Sequence, residues 1–190
     1  MLEIYEREHK TVQDLVTIPD DGKQYELIDG QILIVPPPTT FHQTIAGFLF
    51  EKLSAFVRAN GLGSVLFAPV NIYADKENVY LPDILFVRRE KLGMIETDGI
   101  HGAPDLVIEI LSPSNAYFDL KTKKEAYQRI GVREYWIVDP MDRSIECFAN
   151  LDGGYETFFI GKEGRVSSQV VPEFTLEVAA IFNLSTGPGI

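Results

Sequence analysis

The sequence has little that could cross-link or anchor it. A single cysteine, Cys147, stands in 190 residues. No internal disulfide can form, and a cytoplasmic, reducing setting is expected. Cys147 lies in SIECFANL and reads as a small apolar filler of a strand. The opening MLEIYEREHK has no basic segment followed by an apolar one, so no secretory leader is expected. No apolar run approaches the roughly 20 residues that cross a bilayer, and no membrane partner is expected. Several ready-made chemistries are missing as well. HxxxH, CxxC, GxGxxG and GxxxxGK(S/T) do not occur, which argues against zincin, zinc-finger, dinucleotide-binding and P-loop proteins. No serine sits in GxSxG, so an esterase elbow is unsupported. Positive charge is scarce: 17 Lys and Arg against 28 Asp and Glu give a formal net charge of -11. That argues against a non-specific nucleic-acid binder, whose affinity comes from neutralising phosphates. It does not exclude a nuclease, in which acids cluster at a metal while bases form a local patch.

Apolar residues make up 45% of the chain, enough for one domain with its own core. Residues 1–190 read as a single domain, with a core over about 24–140 and a C-terminal hairpin and short helix over 141–184. A short helix is expected around Thr11–Val16. QYELIDGQILIVPPP gives two strands turning at Asp29-Gly30. Residues 42–59 carry Ile45, Phe48, Leu49, Leu53, Phe56 and Val57 at helical spacing, with Asn60-Gly61 as a stop. SVLFAPVNIYAD and VYLPDILFVRR read as two strands of one hairpin, with Pro69 and Pro82 at bulges or edges. Glu90–Pro104 reads as an irregular, mobile loop near the site. DLVIEIL is a buried strand, followed by a helix capped at Ser114 or Asn115 and ending near Gly131. REYWIVDP is another buried strand. SIECFAN and YETFFIG form a hairpin around Asp152-Gly153-Gly154, and LEVAAIFNL a short helix. The strands on either side of the second long helix are expected to be parallel neighbours. The result is an α/β fold: a mixed central sheet with helices on its faces and hairpins added at the ends.

Two carboxylates stand inside strongly apolar strands, Asp83 in VYLPDILFV and Glu109 in PDLVIEILSPS. A charge there needs a partner, a metal or an exit to solvent. If the two strands are adjacent, both side chains reach one hard cation at about 2.1 Å each. Such a cation polarises a phosphodiester and lowers the pKa of bound water. The bland alternative is an acid salt-bridged at a sheet end. Asp105 shares a strand face with Glu109 but lies roughly 13 Å away, too far for one metal. It reads as a strand-start residue that binds a backbone N–H or orients a basic side chain. Downstream, Lys121, Lys123 and Lys124 form a lysine-rich helix in which Lys123 and Tyr127 share a face. One inward lysine would position or deprotonate the attacking water, or neutralise the phosphate; a solvated charged face is the plain alternative. Glu26, in YELIDG, is a candidate third carboxylate or an exposed hairpin acid. His42 opens the first long helix, where it reads as a hydrogen-bond donor to a phosphate or simply as a polar N-terminal residue. His9 and His101 have no helpful context.

At these residues the chain resembles the Uma2 family, also called domain of unknown function 820, of the restriction-endonuclease-like PD-(D/E)XK superfamily. The resemblance covers about residues 10–182. It is carried by YELIDG, the helix-opening His42, LPDILFV, PDLVIEILSPS, the spacing of Asp119, Lys123 and Tyr127, and GVREYWIVDP. It implies an αβββαβ core, a Mg²⁺ (or Mn²⁺) requirement and a homodimer. Asp83 then resembles the metal-binding aspartate, Glu109 the second acid and Glu26 an extra acid. The lysine of the E-x-K motif would fall at Leu111, a departure, and Lys123 resembles a lysine relocated to the following helix.

Three readings follow. The first is a metal-dependent endonuclease hydrolysing phosphodiester bonds: Asp83 and Glu109 hold the metal with help from Glu26, and Lys123 orients the water or phosphate. The resemblance points to DNA as its substrate. The second is an inactive nuclease fold kept as a nucleic-acid or protein-binding module, favoured by the missing strand lysine and the charge of -11. The third is a structural or regulatory dimer. A nuclease is expected to show a positive rim, with Arg88, Arg89, Lys121 and Lys124 as candidates.

Overall fold

Two parallel strands, β9 (Leu106–Ile110) and β10 (Glu134–Asp139), form the middle of the computed structural model, which describes residues 3–5, 8–112, 122–151 and 154–183. Their apolar runs are buried throughout, as a strand covered on both faces requires. On one side of this pair lie β7 (Ile84–Arg88) and then β4 (Gly63–Phe67). On the other lie β11 (Ser144–Leu151) and β12 (Gly154–Gly161). All pairings except β9–β10 are antiparallel, so the six-stranded sheet is mixed.

The long helix α2 (Thr40–Ala59) covers one face. It starts two residues before the expected residue 42, because Thr39 caps it by accepting from the His42 N–H at 3.2 Å. Its Ile45, Leu49, Leu53 and Val57 pack on Ile84, Phe86, Ile108 and Trp136. The same core takes in β13 (Arg165–Ser167), β14 (Thr175–Glu177) and the closing helix α4 (Val178–Phe182). The opposite face carries α3 (Lys124–Ile130) and a second six-stranded sheet. That sheet runs β1 (Glu3–Ile4), β3 (Gln31–Val35), β2 (Gln24–Ile28), β6 (Asn78–Tyr80), β5 (Ile72–Asp75) and β8 (Ile100–His101). The short helix α1 (Val12–Val16) packs on its outer side. The β2–β3 turn has φ of 48° at Asp29 and 75° at Gly30, the pair of positive values a two-residue hairpin loop needs.

Two expectations change. The strands read over SVLFAPVNIYAD and VYLPDILFVRR do not form one hairpin. Each breaks at its proline, so that β4 and β7 pair in the central sheet while β5 and β6 pair in the second. Pro69 and Pro82 lack the N–H that a continuous ladder needs, and the chain uses both points to cross between sheets. Glu90–Pro104 is also not a loop at the cleft described below. It holds a 3-10 turn over Arg89–Met94 and β8, which pairs parallel with β5. The capping residues Ser114 and Asn115, Asp119 and the turn at Asp152-Gly153 lie outside the described residues.

Candidate active site

The pairing of β7 with β9 stops at Ile84 opposite Ile108, just after Pro82-Asp83. The next amide on that side, Ile110 N, donates to Asp83 Oδ2 at 2.7 Å. Asp83 therefore sits beside Glu109 because the strand ends where it does. His42, in the first turn of α2, brings Nε2 to 3.2 Å from the same Asp83 oxygen. The cap at Thr39 fixes the helix start and so fixes the imidazole.

Glu109 points to the other face, toward α3. Its Oε1 accepts from Tyr127 OH at 2.7 Å and from Lys123 Nζ at 3.2 Å. Lys123 immediately precedes α3, and Tyr127 lies one turn further on, so both reach the same carboxylate. Lys123 Nζ also lies 2.9 Å from Glu26 Oε1, and that oxygen accepts from Leu81 N at 2.8 Å. Glu26 is buried, not an exposed hairpin acid, because β2 is an inner strand whose Glu26/Ile28 face is turned to the central sheet. Burial, together with the charges of Glu109 and Glu26, holds the Tyr127 phenol well above its usual pKa, so it stays a donor.

A cleft of about 180 Å³ opens over this group, with Asp83, Glu109, Lys123 and His42 in its lining. Gln24, Gln43 and Ser112 add to its polar wall, and Pro36, Pro38 and Pro69 to its apolar wall. The sequence reading missed these six, since no motif marks a neutral cleft wall. A larger hollow of about 670 Å³, bounded by α1, Tyr73 and His101, holds neither Asp83 nor Glu109.

The other sequence candidates fall elsewhere. Asp105, fully buried, accepts from Arg88 N at 3.0 Å and Arg88 Nε at 2.6 Å, and pairs with Lys91 at 3.2 Å. It ties down the far end of β7 and β9, and Arg88 stands five residues, roughly 17 Å, from Asp83. Arg88 therefore forms no rim to the cleft. Arg89 lies against Gly61, and Lys124 Nζ sits 3.6 Å above the Phe148 ring. Lys121 lies outside the described residues. Among the described residues the lining holds one Lys or Arg, Lys123.

The donor set suits a hard divalent ion. Asp83 and Glu109 offer carboxylate oxygens to one cleft. Among the described residues, three carboxylates, Asp83, Glu109 and Glu26, stand with the single ammonium of Lys123. A separate, exposed group is also consistent with a divalent metal: Glu96, Asp98 and His101 place ligand atoms within 4.8 Å of one another. There His101 Nε2 lies 3.0 Å from Asp98 Oδ1, which raises the imidazole pKa above its usual 6.5. The sequence reading gave His101 no context, since spacing through a loop does not reveal which side chains meet.

A family model described as "Putative restriction endonuclease", Uma2, matches residues 12–179. No curated protein matches the sequence. The crystal structure of a "putative nuclease belonging to DUF820" from Anabaena variabilis is similar in fold, with a TM-score of 0.76 and 20% identity over 90% of this chain and 97% of that one. The α/β fold with its mixed central sheet agrees with both, and the chain belongs to the Uma2 (DUF820) family of the PD-(D/E)XK restriction-endonuclease-like superfamily.

Proposed function

We propose that the protein is a divalent-metal-dependent endonuclease that hydrolyses phosphodiester bonds, with DNA as its substrate. The convergence of Asp83, Glu109 and Lys123 on one cleft carries this reading, with Glu26 and Tyr127 behind them. Asp83 and Glu109 would hold Mg²⁺ or Mn²⁺. Bound there, the ion would polarise the phosphate and lower the pKa of water. Asp83 is oriented by Ile110 N and His42, and Glu109 by Tyr127, so neither carboxylate has to be ordered when substrate arrives. Lys123, an ammonium with three donors and no acceptor, donates to the water or the phosphate and offsets charge on the equatorial oxygens. Asp105 takes no part, being tied to Arg88 and Lys91.

The rival reading, a catalytically inactive nuclease fold kept as a nucleic-acid or protein-binding module, is favoured by the net charge of -11 and by Leu111 in place of a strand lysine. Supercoiled plasmid and labelled RNA, incubated with Mn²⁺, Mg²⁺ or EDTA, separate the two. Metal-dependent cutting of plasmid by the wild type, reduced at least 100-fold or so in Asp83→Ala, is the expected result. Cutting that Asp83→Ala leaves intact would sink the assignment.

A further inference from the structure

Lys123 does more than lie near the acids. It stands between two of them that come from different sheets. Its Nζ is 2.9 Å from Glu26 Oε1 and 3.2 Å from Glu109 Oε1. The three side chains are 6%, 1% and 4% exposed, so solvent screens little of this charge. Each carboxylate also has a neutral anchor of its own, Leu81 N for Glu26 and Tyr127 OH for Glu109. Their positions are therefore set by the scaffold as well as by the ammonium. Two anchored carboxylates facing one buried cation are the arrangement in which a hard divalent ion is bound, through oxygens at about 2.1 Å. Here that place is taken by a side chain. Position 111, where a lysine on β9 itself would stand, is the buried Leu111 of the second core.

We infer that Lys123 serves as a built-in second cation: the cleft takes one divalent ion per chain, at Asp83 and Glu109, and the ammonium fills a latent second ion site between Glu26 and Glu109. This rests on the metal-dependent reading for the first ion only. Glu26 is then a partner of the lysine and not a metal ligand in the native protein. The latent site is specific to hard, oxygen-seeking ions, since it offers carboxylates alone.

Counting bound Mn²⁺ by electron paramagnetic resonance, in an Asp98→Ala background that removes the exposed Glu96, Asp98 and His101 group from the count, tests this without an activity assay. The wild type is expected to bind one ion in the cleft, and Lys123→Ala, refolded in Mn²⁺, one more than the wild type. Mn²⁺ should also raise the thermal midpoint of Lys123→Ala more than that of the wild type, because the ion replaces a buried counter-charge. The double variant Glu26→Gln, Lys123→Ala removes one acid with the ammonium and is expected to return to the wild-type count. A wild type with a second ion between Glu26 and Glu109, or a folded Lys123→Ala with no ion gained, overturns the inference. If Lys123→Ala does not fold even with Mn²⁺, Glu26→Gln decides: it should keep the wild-type ion, and losing that ion would make Glu26 a ligand and end the proposal. A wild type that binds no ion in the cleft refutes the metal-dependent reading, as the plasmid assay would independently, and overturns the one-ion count with it. The Lys123 half then stands or falls on the ion gained by Lys123→Ala.

Discussion

Tyr127 OH contacts Glu109 and His42 Nε2 contacts Asp83, so a substitution at either supporting residue leaves the acid itself in place. Tyr127 OH donates to Glu109 from full burial, between Tyr80 and Tyr135 with ring centroids at 5.4 and 5.3 Å. Tyr127→Phe keeps the packing and removes one donor from a buried carboxylate, so it should cost about 1–2 kcal/mol in urea unfolding. His42 Nε2 lies 3.2 Å from Asp83 Oδ2, and His42→Ala should weaken metal affinity about 10- to 100-fold, as for a residue that orients a ligand. Isothermal titration with Mn²⁺ measures it; an unchanged affinity would make His42 a mere helix-start residue. Alternation along YELIDG puts Glu26 and Ile28 on one face but cannot tell which face another sheet will cover. The acids stand out in the sequence as charges set in apolar segments, and their contacts were legible only where helical spacing puts two side chains on one face, as with Lys123 and Tyr127 on Glu109.

At the scale of elements, β10 carries a buried acid that no sequence motif singles out. Glu134 opens the strand and accepts from Trp136 Nε1 at 2.6 Å, Ser168 Oγ at 2.9 Å, and Gln169 N and Val170 N at 2.8 Å each. In the fold it pins the segment before β14 to the central sheet. Glu134→Ala leaves four buried or half-buried donors without that acceptor, and should cost about 3 kcal/mol or more in chemical denaturation. Burial raises the Glu134 pKa above 4.5, although the four donors pull it back. A raised pKa means that the folded state holds the proton more tightly than the unfolded chain. That contribution is complete below 4.5 and is lost as pH rises through the folded value. Urea midpoints should therefore fall more over that window in the wild type than in Glu134→Gln, which has no carboxyl to titrate. The strands of residues 64–88 show the same limit on reading elements. Their apolar pattern marks strands, and Pro69 and Pro82 mark interruptions. Nothing local states that the halves belong to different sheets, because that is decided by the surfaces α2 and α3 leave to be covered.

The whole molecule sets how a nucleic acid is met. The α/β class, the parallel β9–β10 neighbours and the covering helices follow from apolar runs and from the helix between the strands, so they were legible before any coordinates. The charge distribution was not. Arg88 was a candidate for the rim, yet it is spent on Asp105 at the opposite end of β7, and Lys124 lies on Phe148. With a net charge of -11 and Lys123 as the one cation among the described lining residues, the described cleft wall can neutralise few phosphates. Affinity for duplex DNA without metal should then be weak, poorer than about 10⁻⁴ M at physiological salt, and should change little between 50 and 200 mM salt, since each neutralised phosphate adds about one unit of slope in log K against log salt. Fluorescence anisotropy of a labelled duplex in EDTA measures both. Adding Ca²⁺, a hard ion that supports binding through the same oxygens, should tighten the complex in the wild type and not in Asp83→Ala. Tight, steeply salt-dependent binding in EDTA that Asp83→Ala shares would instead locate recognition on a basic surface away from the cleft, and would favour the binding-module reading over the nuclease.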